Sequence, residues 1–113
     1  MNIIFDSSRL ERVCNSGAAL NRKYGQRKAK KIQQRLFELQ AADSLSDISH
    51  LPPPRCHALI GNRQGQFSVD TVHPYRIIFE PANDPVPLQE DGSLDKSQVT
   101  AVRILDVNVD THE

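Results

Sequence analysis

The sequence predicts an α+β fold, and three observations carry that prediction. A short apolar run opens the chain, two segments of helical periodicity follow it, and the second half is built of apolar-alternating, β-branched runs. Successive strands joined by tight turns argue for an antiparallel sheet, with the N-terminal strand and the helical pair packed on it. The 113 residues, 38% hydrophobic and 25% charged, suit one globular domain spanning 1–113 with a single modest core.

Met1 to Phe5 is too brief for a helix and runs into Asp6-Ser7-Ser8, residue types that cap helix N-termini, so it reads as a strand leading into a helix. From Arg9, the positions Leu10, Val13 or Cys14, Gly17, Leu20 and Tyr24 step by three and four. They predict one helix with a single buried stripe, closed by Gly25. Ala29, Ile32, Leu36 and Leu39 repeat the period through Ala41-Ala42, and the short connection predicts an antiparallel hairpin. The other faces of the pair carry Arg22, Lys23, Arg27, Lys28, Lys30, Lys31 and Arg35, half of the chain's 14 cationic residues. Such a run is ordinarily a solvated face; the alternative is a surface for RNA phosphates, with Lys28 and Lys31 as its candidates.

Asp43 to Arg55 ends the helix in an extended connector, because Pro52-Pro53-Pro54 fits neither a helix nor a central strand. His57 to Ile60 reads as a strand, Gly61-Asn62-Arg63-Gln64-Gly65 as a turn and Gln66 to Thr71 as a strand with one face on a core. In the next strand Tyr75, Ile77 and Phe79 alternate with Arg76, Ile78 and Glu80, and Ile78 makes both faces apolar, as in a central strand. Pro81 to Lys96 is rich in Pro, Asp, Asn and Gly and reads as a loop. Val99 to Val109 is a β-branched run long for one strand, with a break expected near Asp106.

The formal net charge of zero hides an asymmetry: residues 1–79 hold 12 Lys/Arg against 6 Asp/Glu, and residues 80–113 hold 2 against 8. A basic front suits an anionic partner such as nucleic acid, and mutual neutralisation of the two ends is the plain alternative. No apolar run is long enough for a membrane span or a signal peptide, which leads to the expectation of a cytoplasmic protein with no membrane partner. Cys14 and Cys56 lie far apart without metal-ligand spacing, so reduced thiols are expected and no metal site or other cofactor is implied.

The residues with chemical potential gather around the turn and the strand after it. Arg76 offers a planar donor fork for phosphate, and its plain reading is an ion pair with Asp70 or Glu80. Arg63 in the glycine-flanked turn is a candidate for the phosphate backbone or a solvated turn residue. His112 and His73 are candidates for proton transfer because imidazole titrates near neutral pH, and His57 is a further histidine nearby. Tyr75 is either a platform for a single-stranded base or a packing aromatic.

A helical hairpin followed by LIGNRQGQFSVDTVHPYRIIFEP resembles the HigB branch of the RelE/ParE toxin superfamily. The resembling elements are Gly61-Asn62-Arg63 ahead of the Phe67-Ser68 strand, Tyr75-Arg76-Ile77, and the Asp-x-x-x-Asp-x-His ending from Asp106 to His112, over essentially the whole chain. The resemblance implies a RelE-like fold of the microbial-ribonuclease kind and the toxin half of a type II toxin–antitoxin, or plasmid-maintenance, pair. It also implies metal-independent endoribonuclease action on mRNA at the ribosome, and a cognate helix-turn-helix antitoxin as partner. By position it makes Arg63 the basic turn residue, Arg76 the later-strand arginine and His112 the terminal histidine, with His73 close by. One position departs: where the family has an arginine two residues after the strand serine, this chain has Asp70. A carboxylate there removes one cation from the phosphate and adds a repulsion, so a binding module of the same fold and a ParE-like inhibitor of DNA gyrase stay open.

Overall fold

The computed structural model describes residues 1–110. Five strands, β1 (Asn2–Phe5), β2 (His57–Ala58), β3 (Phe67–Asp70), β4 (Tyr75–Pro81) and β5 (Ala101–Asp110), form one sheet in the order β1-β5-β4-β3-β2. The pairs β2–β3, β3–β4 and β4–β5 are antiparallel, as expected. The N-terminal strand corrects the expectation. It does not pack on the sheet but joins its edge, parallel to β5, with Asn2 opposite Ala101 and Phe5 opposite Ile104. A parallel partner needs a long crossover, and the helices supply it.

The first helical segment is two helices, not one: α1 (Ser8–Cys14) and α2 (Gly17–Tyr24). Ser16 breaks the run, because its hydroxyl accepts the Ala19 N–H at 3.1 Å and starts a new helix, just as Ser7 accepts from Leu10 to start α1. The apolar stripe runs through the break, so periodicity alone did not reveal it. Gly25, at φ 85°, ends α2 and leads directly into α3 (Gln26–Ala41), which makes the hairpin tight. Leu20, Ala29, Ile32 and Leu39 of this hairpin join Phe67, Val69, Ile77, Phe79, Val102, Ile104 and Val107 of the sheet in one buried cluster. The rings of Phe67 and Phe79 stack within it, with centroids 6.0 Å apart.

Ile77, Ile78 and Phe79 are all fully buried, which confirms β4 as a central strand covered on both faces. The expected break at Asp106 is a bulge inside one continuous strand. Arg76 faces Val109, Ile78 faces Asp106 and Phe79 faces Ile104, so the register shifts twice while β5 runs on. The Asp106 carboxylate steadies the bulge by accepting the Val107 N–H at 2.7 Å. The strand expected over 57–60 is shorter, ending at Ala58, and Gly61–Arg63 form a 3-10 turn. The long 81–96 loop is tied to itself by a bridge between Leu88 and Leu94, and to β5 by Asn83, whose amide oxygen accepts from Thr100 and Ala101.

Candidate functional site

Alternation along β3 and β4 sends Phe67, Val69, Ile77 and Phe79 to the helices, and Asp70 and Arg76 to the opposite face, which is closed over Ser68 and Ile78 and opens at the Asp70–Arg76 end. On that face lies a groove of about 890 Å³ lined by Arg76, Arg63, Asn62, His57, Gln66 and Asp110 among others. Arg63 of the turn and Arg76 of the central strand, 13 residues apart in sequence, are brought together because β3 and β4 form a tight hairpin whose start lies beside the Gly61–Arg63 turn.

Arg76 is mostly buried, its side chain 13% exposed, and its Nε sits 3.4 Å from Asp70 Oδ1. Of the two pairings open to it, Asp70 is therefore the partner; Glu80 pairs with Arg103 at 3.5 Å instead. Asp70 also receives two hydrogen bonds from Arg55, Nε to Oδ2 at 2.7 Å and Nη2 to Oδ1 at 3.2 Å, a bidentate fork that pushes the Arg55 guanidinium pKa further up. Arg63 is exposed, with Nη1 3.4 Å from Gln66 Oε1. His57 lines the groove while its Nδ1 lies 3.2 Å from the Arg55 carbonyl, a contact that ties the ring to the connector.

The remaining residues picked from sequence divide differently. Tyr75 alternates onto the helix side, where Lys28 Nζ lies 3.5 Å from its ring centroid, a cation–π contact. The two candidates for RNA contact thus meet each other, away from the groove. Lys31 stands one turn along α3 from Lys28, half-buried. His73 is exposed in the β3–β4 turn and engaged in an interaction of its own, but it does not line the groove. His112 lies outside the described residues. Asp110, the last residue of β5, lines the groove and is itself engaged.

Arg35, counted from sequence among the outward cations of the helices, is buried at 2% exposure. Its Nε donates to the Asp70 carbonyl at 2.7 Å, Nη2 to the Pro53 carbonyl at 3.3 Å, and Nη1 pairs with Glu38 at 3.1 Å. Helical periodicity places Arg35 near the edge of the apolar stripe, and only the carbonyls it meets explain its burial. Sequence reasoning also missed Arg55, which stands at φ 48° after the prolines and outside every motif. No local pattern marks it, because Asp70 and Arg76 already balance each other and the approach of Arg55 depends on the path of the connector.

Burial pushes both thiols up to about 11, Cys14 with a further push from Asp106, so neither is a nucleophile at neutral pH. Among the described residues no cluster of three or more His, Cys, Asp or Glu side chains could hold a metal ion, and no helix is long and apolar enough to cross a membrane.

The architecture belongs to a known class, the α+β, RelE-like fold expected from the sequence. Two solved structures share it: the YoeB-YefM complex from Staphylococcus aureus and the heterotetrameric complex of YoeB-YefM toxin-antitoxin from the same organism. In each, the likeness spans 96% of this chain and 95% of that chain, with a TM-score of 0.54 and 14% identity. By sequence, no family model and no curated protein matches.

Proposed function

We propose that this chain is the toxin of a type II toxin–antitoxin pair, of the HigB/RelE kind, that cleaves mRNA on the ribosome and is neutralised by a cognate helix-turn-helix antitoxin in the cytoplasm. The observation that carries the reading is the groove on the open face, where Arg76 and Arg63 converge with His57. The solved toxin–antitoxin complexes with the same fold support the partner. Attack of a 2′-hydroxyl on the adjacent phosphorus needs a base, an acid for the leaving oxygen, and cations around the charge that builds on the phosphoryl oxygens. Arg76 and Arg63 supply the cations, and the proton transfers fall to His57, which lines the groove, or to His112, the terminal histidine that the family resemblance names; His73, named from sequence, does not line the groove. Tyr75, Lys28 and Lys31 form a separate candidate RNA contact on the helix side, apart from the groove.

A second reading is favoured by one observation. Asp70 neutralises part of the Arg76 charge, which suits a binding module of the same fold that has no nuclease activity. Induced expression without antitoxin separates the readings. The ribonuclease reading expects growth arrest with mRNA cut on translating ribosomes, reduced about a hundredfold by Arg76→Ala, the scale of one lost transition-state contact. Arrest of replication with intact mRNA would mean a gyrase-directed toxin, and no arrest would mean the binding module.

A further inference from the structure

Two guanidinium groups converge on the single carboxylate of Asp70. Arg55 grips it through Nε at 2.7 Å and Nη2 at 3.2 Å, and Arg76 Nε approaches the same Oδ1 at 3.4 Å. The three side chains sum to one positive charge. A carboxylate and a phosphodiester present the same feature to an arginine, two oxygens at the spacing of its donor fork. Asp70 therefore sits where a phosphate would be held if the aspartate were elsewhere, with Arg55 of the connector and Arg76 of β4 as the donors around it.

We propose that Arg55 and Arg76 form an oxyanion site for a backbone phosphate of single-stranded RNA, with the Asp70 carboxylate as a built-in competitor that the incoming phosphate displaces. The ligand class rests on the ribonuclease reading above; the anion site and its competitor do not. Three features make the exchange feasible. The side chains of Arg55 and Asp70 are 39% and 28% exposed, so water and a ligand reach the pair without opening the core. A backbone phosphodiester carries the same single charge as the carboxylate, so the exchange is close to balanced in charge and is decided by the contacts that the rest of the RNA adds. The Asp70 backbone is independently fixed, its N–H donating to the Pro54 carbonyl at 2.8 Å and its carbonyl accepting from Arg35 at 2.7 Å. Displacement thus needs only a side-chain rotation at the end of β3. The competing explanation is a plain structural pin between the connector and the sheet.

The test uses the full chain, inorganic phosphate and a 2′-O-methyl single-stranded RNA that cannot be cleaved, with binding followed through the arginine Nε–Hε resonances. Asp70→Asn is expected to bind phosphate about tenfold more tightly, the scale of one charge-assisted hydrogen bond. Adding Arg55→Ala should abolish the gain, and Asp70→Glu, which keeps the competing charge, should bind as the wild type does. Phosphate should also raise the melting temperature of Asp70→Asn more than that of the wild type, a response that a mere pin does not give. Unchanged or weaker phosphate binding by folded Asp70→Asn would overturn the proposal, and so would a gain that survives Arg55→Ala or appears equally in Asp70→Glu. Tighter phosphate binding through Arg55 without tighter RNA binding or any mRNA cleavage would uphold the anion site and sink the ribonuclease reading instead. Cleavage with no change in phosphate binding would do the reverse.

Discussion

Along β4, neighbouring residues turn to opposite sides of one sheet. Ile77 and Phe79 go under the helices into a continuous apolar cluster, while Arg76 and Glu80 finish in ion pairs with Asp70 and Arg103 on the open face. The first face is held by area removed from water, and little about it depends on the identity of any one charge. The second is held by partners that can be exchanged, and its more exposed pair, Glu80–Arg103, contributes under about 1 kcal/mol to stability. The contrast teaches where to look for function. The helix face fixes the position of the strand, and the open face spends that rigidity on holding charges in a groove.

The comparison breaks most sharply if the two faces respond alike to substitution. Phe79→Ala, in the centre of the covered face, is expected to cost about 3–5 kcal/mol in denaturant unfolding. A loss below 1 kcal/mol would mean that the cluster is not the main source of stability. Arg35→Leu tests the residue that joins the two faces. It leaves the carbonyls of Asp70 and Pro53 without their donor and should cost about 3 kcal/mol. It should also loosen the Asp70–Arg55 pair, visible as faster exchange of the Arg55 Nε–Hε proton.

The covered face has a pH signature as well. Both buried thiols are raised from their ordinary 9.0 to about 11, so above pH 9 the unfolded chain releases protons that the native chain keeps. Their contribution is fully present below about 9 and is lost as pH rises through 11. Urea midpoints should therefore fall between pH 8 and pH 10.5, and less so in Cys14→Ala/Cys56→Ala. The smallest effect is expected from Lys28→Ala, which removes a cation–π contact with Tyr75 worth about 0.5–1 kcal/mol at a partly exposed site. Its value lies in exposing the Tyr75 ring, which should then quench on addition of single-stranded RNA if the ring is a base platform.

Much of this architecture was legible in the sequence because it rests on periodicity. The stripe Ala29, Ile32 and Leu39 and the alternation of Phe67, Val69, Ile77 and Phe79 mark the buried faces directly. Features set by single hydrogen bonds or by distant pairing were not legible. The break at Ser16 depends on one hydroxyl, and the parallel seat of β1 depends on a strand about a hundred residues away. For the site, Arg76 and Arg63 stood out because they sit in a turn and a strand with recognisable patterning, and both line the groove. Arg55 and Arg35 did not, since the first follows a proline run without periodicity and the second is explained only by the carbonyls it meets. The separation of Tyr75 and Lys28 from the groove follows from strand alternation, which the sequence shows, and from helix placement, which it does not.

The pairing of β1 with β5 also sets a timetable for biosynthesis. Residues 2–5 are synthesised about a hundred residues ahead of their partner, residues 101–104, and the far edge of β4 waits for the same segment. Until then the nascent chain carries unpaired strand edges at β1 and along the β5 side of β4, the kind of edge that pairs wrongly with other chains. The groove acquires its Asp110 wall only when β5 docks on β4, so the pairing order of the strands decides when the groove is whole.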